Sequence, residues 1–294
     1  MASFYAYDFV YDNIPSQKWD LKIITFEDGG LFNGVGSSDI NIITQKVLRK
    51  SKPYYLGRTQ ETVLEFPLTF GTAAPISALD RDMISAWLFG RSIYKKLYIL
   101  QDDLNGAYFN CLFTEPEPLY IGGLNYAFTC NVTCDSPWAY SPEHIVSGSF
   151  IGGNAYEFDI YNTSSEDDYL YPSFYFSVTT VDGNQDQRTV SFYNDTDNTL
   201  RDFTWSCLYH GDQITIDNDL QIVSSHIYAS DEYNNHPFPR YSNDGETMYT
   251  LLNCFNKNWF RLLPKNNSIR AVVVETDTII DYVIRFTERM KIGG

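Results

Sequence analysis

Four histidines, five cysteines and two close pairs of acids are the residues of this chain most open to catalytic or metal-binding use. His144, His210, His226 and His236 form no i,i+4 pair, and none partners a cysteine at zinc-finger spacing. Cys130 and Cys134 lie four apart on one strand face, whereas zinc cysteines usually sit two apart on a turn. With Cys111 they share faces that carry Phe and Val, so they read as buried free thiols acting as small hydrophobes. Glu115 and Glu117 have the chemistry of a glycosidase pair, which needs two carboxyls across a sugar. Pro116 and Pro118 set them in a rigid loop, and spacing alone places nothing opposite a substrate. Asp195, Asp197 and Thr199 copy the start of a calcium loop. Leu200 stands where the sharp-turn glycine belongs and no Glu closes position twelve, so a solvated turn is the better reading. Neither GxSxG nor a phosphate-binding glycine loop occurs. No catalytic, cofactor-binding or metal residue is assigned, and no cofactor is expected.

The background argues for β structure and much interface. The chain has 294 residues, 44% of them hydrophobic and 16% aromatic, with 23 Tyr and 20 Phe. That suffices for one large or two ordinary cores. Tyr and Phe favour strands, and Tyr suits half-buried surfaces. Net charge is −16; residues 1–140 hold 11 Lys/Arg against 15 Asp/Glu, the remainder 10 against 22. This argues against general nucleic-acid affinity, which needs cations on phosphates. Residues 1–10 lack the basic start and apolar run of a signal peptide, and no run reaches transmembrane length. Synthesis in a cytoplasm and no membrane contact are expected.

The organising stretch is 64–140. Leu64, Phe66, Leu68 and Phe70 alternate with polar residues, as do Tyr126, Phe128, Cys130, Val132 and Cys134, which predicts two strands with one apolar face each. A helix is predicted from about Ala78 to Phe89, with Ile76, Leu79, Met83 and Trp87 as its buried stripe. Ser77 and Asp80 form a capping signal, and Gly90 is placed to end it. Strands are also expected at 95–100 and 108–113, joined through an Asn105-Gly106 turn. Upstream, 39–63 predicts an extended hairpin. Lys46, Arg49, Lys50, Lys52 and Arg58 lie in it with no acid between Lys46 and Arg58. A projecting arm that docks on an acidic neighbour and a solvated tip fit that run equally well.

From 141 the texture changes. Residues 141–154 are small and glycine-rich, a linker signal. Beyond them short strands alternate with turn clusters and no helical stripe appears, which predicts a β-sandwich. Residues 271–274 and 280–286 are expected to pair as a last hairpin. The aromatic run 169–176 could stack on sugars but fits a sandwich core better.

Taken together, the chain resembles the siphophage distal tail proteins, the hub of the tail tip. The N-terminal match rests on Phe66-Pro-Leu-Thr-Phe-Gly71, Trp87-Leu-Phe-Gly-Arg91, Lys96-Leu-Tyr-Ile-Leu100 with Asp102 and Asp103, Tyr108-Phe-Asn-Cys-Leu-Phe113, and Cys134-Asp-Ser-Pro-Trp-Ala-Tyr140. The C-terminal match rests on Tyr171-Pro172, Gly211-Asp-Gln-Ile-Thr-Ile-Asp217 and Leu263-Pro-Lys-Asn-Asn-Ser-Ile269, where Lys265 replaces a glycine usual in the family. The resemblance implies a mainly β protein. Residues 1–145 would form a ring-forming sheet domain with one helix and the hairpin arm. Residues 146–294 would form a galectin-like, carbohydrate-binding-module-like sandwich.

It further implies a homohexameric ring in the virion's tail tip, made in the host cytoplasm. The ring would join the tail tube protein to baseplate or receptor-binding proteins and let DNA pass without specific binding. The competing reading is a carbohydrate-binding host-adhesion protein, with Trp205 and Trp259 as candidate contacts to host cell-wall glycan or a partner. A glycan hydrolase built on Glu115 and Glu117 is the weakest reading.

Overall fold

The computed structural model describes residues 8–24, 40–48, 50–60, 63–165, 167–183, 186–197, 201–225, 240–241, 248–249 and 254–291. Arg49, His226 and His236 lie outside them. The chain divides into two compact units, Met1–Pro142 with Arg289–Gly294, and Glu143–Glu288.

The strands run in order β1 (Phe9–Tyr11), β2 (Ile14–Pro15), β3 (Lys22–Ile23), β4 (Ile40–Gln45), β5 (Tyr54–Gln60) and β6 (Glu65–Gly71). Helix α1 (Ala78–Leu88) precedes β7 (Lys95–Ile99), β8 (Tyr108–Ile121), β9 (Leu124–Cys134) and β10 (Ala139–Tyr140). Then come β11 (His144–Ile151), β12 (Tyr156–Asn162), β13 (Ser173–Thr180), β14 (Arg188–Asn194), β15 (Asp202–Leu208), β16 (Gln213–Asp217) and β17 (Ile222–Ser225). The short pair β18 (Arg240–Tyr241) and β19 (Met248–Tyr249) precedes β20 (Lys265–Val273), β21 (Thr278–Phe286) and β22 (Arg289–Met290).

In the first unit the sheet order is β2-β1-β7-β8-β9-β6-β3, with β10 joining β8 to β22. Phe66, Leu68 and Phe70 of β6 stand opposite Val132, Cys130 and Phe128 of β9, and all six are buried. Helix α1 covers this core. Ser77 Oγ accepts from the Asp80 amide at 3.1 Å and donates to its carboxylate at 2.6 Å, a closed capping arrangement. The buried stripe is Ile84, Trp87 and Leu88; Leu79 is 70% exposed and Met83 is exposed too. The predicted stripe is therefore corrected at Leu79 and Met83, while Trp87 is buried and Ile76 packs against the same core. Trp87 fixes the roll: its Nε1 donates to the Tyr11 carbonyl at 3.0 Å and its ring stacks on Phe9 at 5.9 Å, which brings the Ile84–Leu88 row down with it. Gly90 does end the helix, but for space: a Cβ there would lie 2.5 Å from the Ala86 carbonyl oxygen.

Two loop expectations are overturned. Residues 115–118 belong to β8, which continues to Ile121 through a bulge between Thr114 and Glu117. Glu115 takes φ +54 there, and the bulge absorbs Pro116, which has no N–H to give the ladder. The glycine-rich stretch at 141–154 is mostly β11, the edge of a sheet. Gly148 is small because Tyr282 crosses it; a Cβ would sit 2.7 Å from the Tyr282 hydroxyl.

The second unit is the predicted sandwich. One sheet is β11-β21-β13-β16-β17 and the other β12-β20-β14-β15. Phe174, Phe176, Ile280 and Ile284 from the first sheet and Phe192, Phe203, Ile269 and Val273 from the second share one buried core. The last two long strands do not pair as a hairpin: β20 lies between β12 and β14, β21 between β11 and β13. Each is flanked on both edges, so the turn between them crosses from sheet to sheet. The turn before β20 keeps the left-handed residue a glycine would supply, because Lys265 itself adopts φ +76. Fully buried Asn267 holds it: its Oδ1 accepts from Leu263 N at 2.7 Å, and its Nδ2 donates to the Leu263 and Lys265 carbonyls at 2.8 and 3.1 Å.

Candidate assembly surfaces

Ile42, Ile43 and Thr44 on β4 and Tyr54, Tyr55 and Leu56 on β5 are strong strand formers, which is why 40–60 is a ribbon. The two strands pair with each other and with no other described strand. Ile42 stands opposite Arg58 and Gln45 opposite Tyr54, with a bulge between Ile43 and Thr44. At the tip the Lys50 amide donates to the Val47 carbonyl at 3.1 Å. The Lys50 ammonium lies 4.7 Å from the Tyr54 ring centroid and bonds its hydroxyl.

The predicted arm residues Lys46, Lys50 and Lys52 are exposed there. Apolar side chains are exposed beside them. Ile42 and Tyr55 are each 65% exposed and Leu56 60%, with Ile43, Val47, Leu48 and Tyr54 exposed beside them. A lone two-stranded ribbon is marginal in water, and a contiguous apolar surface marks an interaction site. The sequence signal was present: neither Ile42-Ile43 nor Tyr54-Tyr55-Leu56 alternates apolar with polar, so each strand carries apolar side chains on both faces.

Two other exposed apolar features belong to the same unit. Leu79 and Met83 line the outer side of α1. Tyr120, Ile121 and Leu124 crown the β8–β9 hairpin, where Gly122 and Gly123 take φ +59 and +83. That pair of left-handed glycines is the two-residue turn such a hairpin needs.

The second unit treats its candidates differently. Trp205 is 0% exposed. It stacks on Phe255 at 4.5 Å and meets Phe176 and Phe203 edge-on. As a glycan contact it is corrected to a core residue, since no ring face reaches solvent. Trp259 is half-buried, edge-on to Phe255, and its carbonyl accepts from Arg201 at 2.9 Å. The hollow beside it measures about 10 Å³, room for one water and no sugar ring.

The acids of the mock calcium loop are taken by arginines. Asp197 receives a two-pronged bond from Arg261 at 2.7 and 3.0 Å, and Asp195 one from Arg270 at 2.9 Å for both contacts. Glu115 and Glu117 lie exposed on β8, with Glu115 accepting from Asn131 at 2.6 Å. His210 Nδ1 accepts from the Thr180 amide at 2.9 Å, which engages it in the fold. Cys111, Cys130 and Cys134 are buried free thiols, and burial pushes Cys134 up to about 12. Among the described residues no group of three or more His, Cys, Asp or Glu is placed to hold a metal ion, and no helix is long and apolar enough to cross a membrane.

Comparison with known proteins matches two successive parts of the chain. Residues 4–136 match the family described as phage tail protein N-terminal domain, and residues 138–251 the family described as phage tail C-terminal domain. The fold is that of the SPP1 Dit (gp 19.1) crystal structure, described as a paradigm of hub adsorption apparatus in phages infecting Gram-positive hosts. That match has TM-score 0.61 and 12% identity, and covers 97% of this chain and 99% of that one. A chain of the phage P2 baseplate, in its activated conformation with Ca, matches at TM-score 0.49 and 9% identity over 100% of both. Among curated protein sequences none matches significantly.

Proposed function

Because the chain belongs to the phage tail proteins, carrying their N-terminal and C-terminal domains in order, we propose that it is a structural hub of the tail tip. Copies of the first unit close a homohexameric ring, with the arm of each lying on the next. The ring joins the tail tube to baseplate or receptor-binding proteins, and DNA passes through it.

The observation that carries this reading is the arm. A ribbon with apolar side chains exposed along both strands has no stabilising partner within the described part of its own chain. Each Ile, Leu or Tyr it buries on a neighbour contributes about 1.5–3 kcal/mol. Donor arm and acceptor surface differ, so the contact is head-to-tail, and such contacts close into rings when the rotation permits. The net charge of −16 suits a channel that must not hold DNA by its phosphates.

The decisive experiment is size-exclusion chromatography with light scattering, backed by negative-stain imaging. The full chain is expected to give rings. A variant lacking 46–58 is expected to stay folded by circular dichroism and run as a monomer. Rings from that deletion, or a wild-type chain that stays monomeric at high concentration, would defeat the reading.

A further inference from the structure

Resting on that ring reading, we propose that Leu48 at the arm tip seats in a groove on the first unit of a neighbouring copy, between Trp19 and the segment leading into α1. The groove holds about 220 Å³ and is open to solvent. Trp19, Pro75, Ile76 and Ile84 give it an apolar lining, and Asp20 and Asp80 stand at it as acids. Its floor is fixed. The Trp19 indole stacks on Trp87 at 4.6 Å, and Ile84 is fully buried in the core. The wall is fixed as well: the Thr72 and Ile76 amides donate to the Tyr126 and Asn125 carbonyls at 2.9 and 2.8 Å. Lys18, the one cation among the described residues lining the groove, lies 4.6 Å from the Trp19 ring centroid, on that ring's face.

The knob is equally prepared. Leu48 is 90% exposed, the most exposed large apolar residue among those described. The Val47–Lys50 bond closes the turn that displays it, and Lys50 is drawn back onto Tyr54. Lys46 and Lys52 remain exposed on either side. The occupant follows from these facts. Leu48 is not in its own chain's groove, since it faces solvent. The groove has an apolar floor and acids beside it; the tip has an apolar centre flanked by cations. Both belong to the same polypeptide, so one surface of each copy finds its complement on the next. A preformed knob and a preformed hole lose little freedom on docking.

The test is site-directed cross-linking in the full chain. Leu48→Cys and Ala74→Cys, the latter at the groove, are made singly and together and oxidised under assembly conditions. The double variant is expected to give a ladder of covalent multimers on a non-reducing gel, and each single variant none. The native thiols are the shared background, four of them buried. Rings seen by light scattering without a ladder would overturn the groove and leave the ring reading standing. Absence of any wild-type assembly would overturn both. A ladder that needs an added tail-tube or baseplate protein would assign the groove to that partner and also overturn the proposal. A second arm uses Asp20→Asn, which keeps a residue tolerant of its φ of +51. Self-association is expected to weaken about fivefold, more at low salt than at high. An unchanged association constant would remove Asp20 from the contact.

Discussion

Single residues show what spacing can and cannot convey. Asp195 and Asp197 sit two apart, as in a calcium loop, yet their partners are Arg270 and Arg261, some 70 positions away in sequence and brought up by β20 and the strand-like segment before it. No local pattern could reveal that. Lys265 is the opposite case: a residue in a glycine's place can be seen in the sequence, and it does take φ +76. A side chain in that region costs about 1–3 kcal/mol, partly offset by the entropy a glycine loses on folding. Lys265→Gly is therefore expected to stabilise the second unit by about 1 kcal/mol, read as a higher urea midpoint at unchanged slope; a lower midpoint would show that Lys265 carries no strain. Asp8 gives a pH signature. Its hydrogen bond from Lys22 at 2.7 Å is the main cause that holds its carboxyl below the usual value. That stability is present above the unfolded value near 4 and is lost as pH falls through the depressed folded one. Both side chains are about one-third exposed, so the gain is under about 1 kcal/mol. Asp8→Asn should lower Tm slightly at pH 7 and leave it unchanged near pH 2, and an equal deficit at both would point to packing instead of charge.

Elements were legible where one face is buried and one is wet. β6 and β9 alternate cleanly because one side meets the core, and Ser77 with Asp80 marked the start of α1 correctly. The errors fell where that condition fails. α1 carries apolar residues on two rows, 79–83 and 84–88, and only the contact of Trp87 with Tyr11 and Phe9 selects between them. β20 and β21 look like a hairpin because sequence shows a turn but not which sheet each strand enters. The arm escaped as an apolar surface because its charges were the more conspicuous signal. Gly90 offers a test at this scale. The space for its missing Cβ is taken by the Ala86 carbonyl oxygen at 2.5 Å, so Gly90→Ala must force the chain away from the last turn of the helix. The expected cost is about 1–3 kcal/mol, with the rotamers of Phe89 and Trp87 disturbed. Tryptophan fluorescence should shift with the loss of stability, and a variant as stable as wild type would mean the helix end relaxes freely.

At the scale of the whole molecule, the question is what would hold copies together in the proposed ring. In the sequence the run Lys46, Arg49, Lys50, Lys52 and Arg58 fitted an arm meeting an acidic neighbour and a solvated tip equally well; the former would make assembly sensitive to salt. The structure adds at least seven exposed apolar side chains on the same ribbon. These two contributions differ in size. An exposed ion pair contributes under about 1 kcal/mol and is screened beyond roughly 10 Å at 0.1 M salt. Burying Ile42, Tyr55 and Leu56 contributes about 1.5–3 kcal/mol each and is not weakened by salt. In the proposed ring the apolar share would therefore decide whether it persists, and the charges would set how quickly copies meet and in which orientation. Raising sodium chloride from 0.05 to 0.5 M is expected to slow assembly several-fold while rings survive at equilibrium. Ile42→Ser, Tyr55→Ser and Leu56→Ser combined should abolish them at the same protein concentration. Light scattering at equilibrium, alongside stopped-flow assembly at both salt concentrations, separates the two: rings that dissolve in 0.5 M salt yet tolerate the triple substitution would reverse the assignment and return the arm to an electrostatic clasp.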